Sequence, residues 1–113
     1  MEIKFNQGIK DDQVVVSPQG DLDLYASVSF FNAVLTRFDR VTNHLVLDFS
    51  GIRYIDSSGV GALIRLAQHS NAIGGEIQVA NLTGTPRKIL EMTNMIRLFT
   101  VVSDVEEALR AWE

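Results

Sequence analysis

Two hydroxyls lie next to a carboxylate in the segment Ile55-Asp56-Ser57-Ser58-Gly59-Val60-Gly61. An apolar helical stripe begins just after it. A serine there has three uses. It can cap the helix, act as a nucleophile if a base is near, or accept a phosphoryl group. Capping is the ordinary role of Asp and Ser at such a position. Phosphate is the sharper alternative, because free N–H groups and the positive end of the helix dipole stabilise an anion. Chemistry alone does not separate Ser57 from Ser58. Gly59 and Gly61 each cost a helix about 1 kcal/mol relative to alanine. Their presence suggests a close approach to the backbone by a packed neighbour, a partner or an anion. Asp21 and Asp23 form a second acidic pair, suited to capping or flanking the first helix.

Other chemistries are poorly provided for. The chain has no cysteine, which excludes disulfides, thiolate metal sites and thiol nucleophiles. His44 and His69 have no companion at metal-ligand spacing, and neither stands where it suggests a base for Ser57. Ten Lys and Arg against fourteen Asp and Glu leave a net charge of −4, which argues against nucleic acid as the main partner. No apolar run approaches the roughly 20 residues that span a bilayer, and Met1 to Lys10 lacks a signal-peptide core. The expectation is a cytoplasmic chain without a membrane segment. At 113 residues, 46% hydrophobic and 21% charged, it should fold as one domain over residues 1–113.

The elements that must position these residues follow from periodicity. Ile3 and Phe5 suggest a short strand, and Val14 to Val16 a more buried one that ends near Gly20-Asp21-Leu22-Asp23. Pro18 marks a bulge, strand end or edge. Phe31, Val34, Leu35 and Phe38 predict a helix from about Ala26 to Val41. Leu45 to Phe49 reads as a central strand. A short loop containing Arg53-Tyr54 then leads to a helix from about Ser57 to Ala72, with Val60, Leu63, Ile64 and Ala67 inward. Gly74-Gly75 stops it. Glu76 to Ala80 is the next strand. Thr85 is expected to cap a third helix, with Pro86 in its first turn, Met92 facing the core and Asn94 as a left-handed cap. Phe99 to Val102 is a last strand. Ser103 and Glu106 read as a capping box, and Trp112 anchors the final helix to the sheet. The order β-β-α-β-α-β-α-β-α predicts an α/β fold, with a mixed, mainly parallel sheet of four to five strands and about four helices.

With these elements in place, Asp56-Ser57-Ser58-Gly59-Val60-Gly61 resembles the phosphorylation motif of the bacterial anti-sigma factor antagonists, which are STAS-domain proteins. Gly20-Asp21-Leu22-Asp23, Gly74-Gly75-Glu76-Ile77, Ile89-Leu90-Glu91-Met92-Thr93 and Leu98-Phe99 resemble further family patterns in the same order along nearly the whole chain. The resemblance implies that Ser57 accepts the phosphate. Asp23 and Asp56 match the family's aspartates, and Asp21, Ser58, Gly59 and Gly61 complete the partner-binding environment. It also implies partner switching. The unphosphorylated protein binds an anti-sigma factor that is also a serine kinase, and this frees a sigma factor. Phosphorylation ends the binding and a serine phosphatase restores it. ATP and Mg²⁺ belong to the kinase, so no cofactor is assigned to this chain. Leu24-Tyr25 departs from the more polar pair usual in the family, and Asp21 stands where glutamate is common.

Three other readings compete. One is a STAS scaffold or regulator in a stress-signalling assembly. Another is an aspartyl-phosphate receiver holding Mg²⁺ with Asp21, Asp23 and Asp56. Such a receiver needs a lysine after the last strand, where this chain has Ser103-Asp104. The third is a serine hydrolase, which would need a base for Ser57.

Overall fold

The computed structural model describes residues 1–113. Its elements are β1 (Glu2–Gln7), β2 (Gln13–Leu22), α1 (Ser27–Leu35), β3 (His44–Asp48), β4 (Ile52–Ile55), α2 (Ser57–Ile73), β5 (Glu76–Ala80), α3 (Gly84–Met92), a 3-10 turn (Met95–Leu98), β6 (Thr100–Val102) and α4 (Val105–Arg110). The sheet runs β1-β2-β3-β5-β6, and β4 adds to the far half of β2. Only the β1–β2 pair is antiparallel. The fold class is therefore the α/β class that strand and helix alternation predicts, with a mainly parallel sheet.

Apolar alternation divides the strands between two faces. Val14, Val16, Leu45, Leu47, Ile77 and Val79 point into the larger core, which also contains residues of α1, α2 and α3. Val15, Val46 and Ala80 point the other way, beneath Ala108 of α4. Trp112 closes that second core. Its indole N–H donates to Glu76 Oε2 at 2.6 Å and its ring meets the His44 ring edge-on, with centroids 4.8 Å apart. The anchor expected of Trp112 is present, and its polar atom has the partner a half-buried indole needs.

Several local expectations are corrected. β4 stands where a short loop was expected. α1 ends at Leu35, well before Val41: the Thr36 and Arg37 N–H groups bond three residues back, and Asp39 turns the chain by accepting from the Val41 and Thr42 N–H groups. Phe38 remains fully buried beyond the helix end. α2 buries Gly59, Ala62, Leu63, Leu66 and Ser70 together with Val60, so Ile64 and Ala67 flank the buried stripe.

α3 begins at Gly84, with Thr83 rather than Thr85 at the cap position, and no side chain caps it. Met92 is 79% exposed because it lies two residues past buried Leu90, on the opposite side of a 3.6-residue turn. The cap of α4 is Asp104, which accepts from the Glu107 N–H, and Ser103 bonds Glu107 rather than Glu106. Pro18 lies inside β2, opposite Ile3, and the register shift falls later, between Gly20 and Asp21. Gly74 and Asn94 both adopt the left-handed conformation expected of them.

Candidate functional site

Two parallel strand ends build the site. β2 finishes at Leu22 and β4 at Ile55, which are register partners. Each strand then turns into a helix, so the starts of α1 and α2 emerge side by side at the carboxyl end of the sheet. Buried Leu22 and Ile55 fix the two exits.

Asp56 connects them. It is the extended residue before α2, and its Oδ1 accepts from the Gly59 N–H at 3.0 Å. Its Oδ2 accepts from the Leu24 N–H at 3.0 Å, across to the turn that enters α1. Its own N–H donates to the Leu22 carbonyl. The cap of α2 is therefore Asp56, which leaves both serines free. Ser57 is exposed, Ser58 is half-buried, and neither hydroxyl makes a hydrogen bond within the protein.

The two glycines differ. A Cβ on Gly59 would overlap the Leu22 carbonyl oxygen and press against the Ile55 side chain, so the close approach there is an internal one. A Cβ on Gly61 meets nothing within 4 Å. Gly61 therefore leaves open surface beside the serines.

The acidic residues also take distinct places. Asp23 Oδ1 accepts from the Tyr25 and Ala26 N–H groups at 3.0 and 3.1 Å, organising the entry to α1. Asp21 sits on β2 opposite Tyr54 and pairs with Arg53 at 3.7 Å. Arg53 and Tyr54 thus belong to a strand on this surface, not to a loop. On the other side of Ser57 lies a shallow hollow of about 440 Å³, bounded by Tyr54, Val60, Ile89 and Thr93.

The structure thus brings Asp23, Asp56, Ser57, Ser58 and Gly59 together, with Asp21 on the neighbouring strand and Gly61 one turn along α2. It adds the apolar residues Leu24, Tyr25, Val28 and Tyr54, all exposed. Ile52 and Ile55 are both buried, but their spacing of three is not the period of a strand, so the sequence carried no periodic signal for β4 or for where Tyr54 points. Both histidines are elsewhere: His44 opens β3, and His69, three turns along α2, bonds the Phe38 carbonyl. No helix is long and apolar enough to cross a membrane.

Comparison with known proteins agrees with this architecture. The STAS domain family matches residues 1–108. A STAS-domain containing protein of Pseudomonas aeruginosa is 30% identical over 92 residues, covering 79% of this chain and 87% of the relative. The anti-sigma F factor antagonist of Paenibacillus polymyxa is 24% identical over 118 residues, covering 100% of this chain and 94% of the relative. The structure of the Bacillus cell fate determinant SpoIIAA in its phosphorylated form superposes with a TM-score of 0.74 at 21% identity, covering 99% of this chain and 100% of that one. At that identity the likeness is one of fold. The family match and the Pseudomonas relative carry the assignment: this chain belongs to the STAS-domain family.

Proposed function

We propose that this chain is a cytoplasmic anti-sigma factor antagonist, with residues 1–113 acting as one STAS domain. In its unphosphorylated form it binds an anti-sigma factor that is also a serine kinase, and a sigma factor is freed. The kinase transfers phosphate from Mg-ATP to Ser57 and binding is lost. A serine phosphatase reverses the step.

The observation that carries this reading is the free Ser57 hydroxyl at the first position of α2, exposed and unbonded while Asp56 does the capping. Acceptor and cap are separate residues, so modification need not dismantle the helix start. The name of the Paenibacillus relative and the phosphorylated form of SpoIIAA support the same reading. An enzymatic role for Ser57 is disfavoured, since the two histidines lie away from it.

The switch needs no refolding. A phosphoserine brings about −1.5 to −2 charges. The helix start offsets part of that cost in the free protein. In a complex the same charge lies in a desolvated interface beside Asp56 and near Asp23, where an unpaired anion is costly. A penalty of about 3–4 kcal/mol weakens binding a few hundred-fold.

The direct test is incubation with the cognate anti-sigma kinase and Mg-ATP, followed by peptide mass spectrometry. One phosphate on Ser57, absent from Ser57→Ala, is the expected result. A wild-type chain that gains no phosphate, or gains it on Ser58, overturns the assignment.

A further inference from the structure

The two faces of the sheet are covered very differently. The larger core is a cluster of 20 buried residues. The buried cluster on the other face has four members, and α4, six residues long, supplies one of them, Ala108. Much of what α4 and Trp112 cover is polar. Gln13, His44 and Glu76 are register partners on β2, β3 and β5, so they form one row across three strands. Gln78 follows two residues along β5. In a parallel sheet covered on both faces such positions are ordinarily apolar.

The row is only partly satisfied. Gln13 Nε2, Gln78 Oε1, His44 Nδ1 and Asp12 Oδ1 are the buried side-chain atoms of this chain that have no hydrogen-bond partner in the protein. All four belong to this face. Gln78 Nε2 donates to the Ala108 carbonyl at 3.2 Å, and the side chains of Gln13 and Leu109 both border Gly8. The His44 ring meets Trp112, and Asp12 Oδ2 lies 3.4 Å from His44 Nδ1. A polar atom buried without a partner gives up water and regains nothing when the helix docks. The apolar area that α4 buries in return is small, so its closure is weakly favoured. Three hydrogen bonds hold it down. They join Gln78 to Ala108, the Trp112 indole N–H to Glu76, and Lys10 Nζ to the Trp112 carbonyl at 3.1 Å.

We propose that α4 and Trp112 form a lid that opens as one unit while the larger core stays folded. Opening uncovers Val15, Val46 and Ala80 together with the polar row. The lid covers the strand starts at Gln13, His44 and Glu76, whereas Ser57 follows the end of β4, so the device is independent of the reading of that serine.

Native-state hydrogen exchange, followed by NMR on the full wild-type chain in rising sub-denaturing urea, tests this. The lid is probed at the Ala108 and Ala111 amides, bonded to Asp104 and Glu107, and at the Trp112 indole N–H. The larger core is probed at the Phe30 and Phe49 amides, bonded to Ala26 and Ala80. Two variants accompany the wild type. Trp112→Phe removes the donor to Glu76. His44→Phe keeps a ring beside Trp112 without the unpaired nitrogen.

The three lid protons should share one opening, about a hundredfold more frequent than that of the core amides. Its urea dependence should be smaller than theirs but not zero, because a buried surface is exposed. Trp112→Phe should quicken the lid amides about tenfold and leave Phe30 and Phe49 unchanged. His44→Phe should slow them. Lid and core protons exchanging through the same opening would mean that α4 leaves only when the whole domain unfolds, which overturns the lid. Rates graded from Ala111 back to Ala108 without urea dependence are ordinary fraying and overturn it as well. Faster opening in His44→Phe overturns the unpaired polar atoms as its cause.

Discussion

The carbonyl oxygen of Leu22 occupies the space that a side chain on Gly59 would need. The same carbonyl accepts the Asp56 N–H. The end of β2 and the start of α2 are therefore locked backbone to backbone, and Ser57 projects from a rigid corner.

Gly59→Ala should destabilise the chain by about 2–3 kcal/mol, because the obstacle is backbone and cannot rotate away. Gly61→Ala should instead stabilise it by about 0.5–1 kcal/mol, the ordinary gain of alanine over glycine in an exposed helix. Urea titrations of the two variants measure the contrast. Equal effects would mean that Gly59 is not packed as described.

Asp56→Ala removes the cap of α2 and the tie to Leu24 together. A loss of about 1–2 kcal/mol is expected. Asp56→Asn keeps a side-chain carbonyl for the Gly59 N–H, so it should recover most of that loss. Hydrogen exchange at the Leu24 and Gly59 amides should quicken in the alanine variant. Unchanged exchange at Leu24 would show that the link to α1 contributes nothing.

Ser57→Ala should bind the anti-sigma kinase like the wild type and stay bound after Mg-ATP is added. Ser57→Asp should bind more weakly while unfolding at a similar temperature. Calorimetry against the purified kinase distinguishes them, and equal affinities for Ser57→Asp and wild type would refute the charge mechanism.

Stability should fall in acid partly through Asp48. Burial pushes its carboxyl up, but hydrogen bonds from Asn81, from Ser50 and from the Ser17 hydroxyl outweigh this and hold it below the ordinary carboxylate range. A carboxylate whose native pKa lies below its unfolded value contributes stability above that unfolded value, near 4. The contribution disappears as pH falls through the native value. Asp48→Asn should therefore be less stable than wild type at pH 7 and lose less between pH 5 and pH 2. Parallel denaturation curves over that range would remove Asp48 from the account.

Local chemistry made much of this legible in advance. Asp56 before a helical stripe, Gly74 and Asn94 at turns needing a left-handed residue, and Trp112 on an amphipathic helix are all decided within a few residues of chain. Contacts across the sheet were not legible. The register shift between Gly20 and Asp21 accompanies a buried-exposed-exposed-buried pattern in β4, so Ile52 and Ile55 do not show the two-residue period of a strand. Without β4, nothing in the sequence tells that Arg53 reaches Asp21 or that Tyr54 borders the serine. Met92 faces out because the buried stripe of α3 runs through Pro86 and Leu90 rather than through Ile89. The Ser103–Glu106 spacing satisfied a capping box, yet Asp104, one residue on, is the cap.

Trp112 is the one tryptophan of the chain, and its clasp on Glu76 and His44 lies where β3 and β5 begin, beneath α4. Ser57 lies past the opposite strand ends. The protein therefore carries a built-in optical probe that is remote from Ser57. Intrinsic emission excited at the indole should stay level while the serine end is modified or covered, and shift to the red only when the second core opens. That separates loss of partner from loss of fold in a single cuvette.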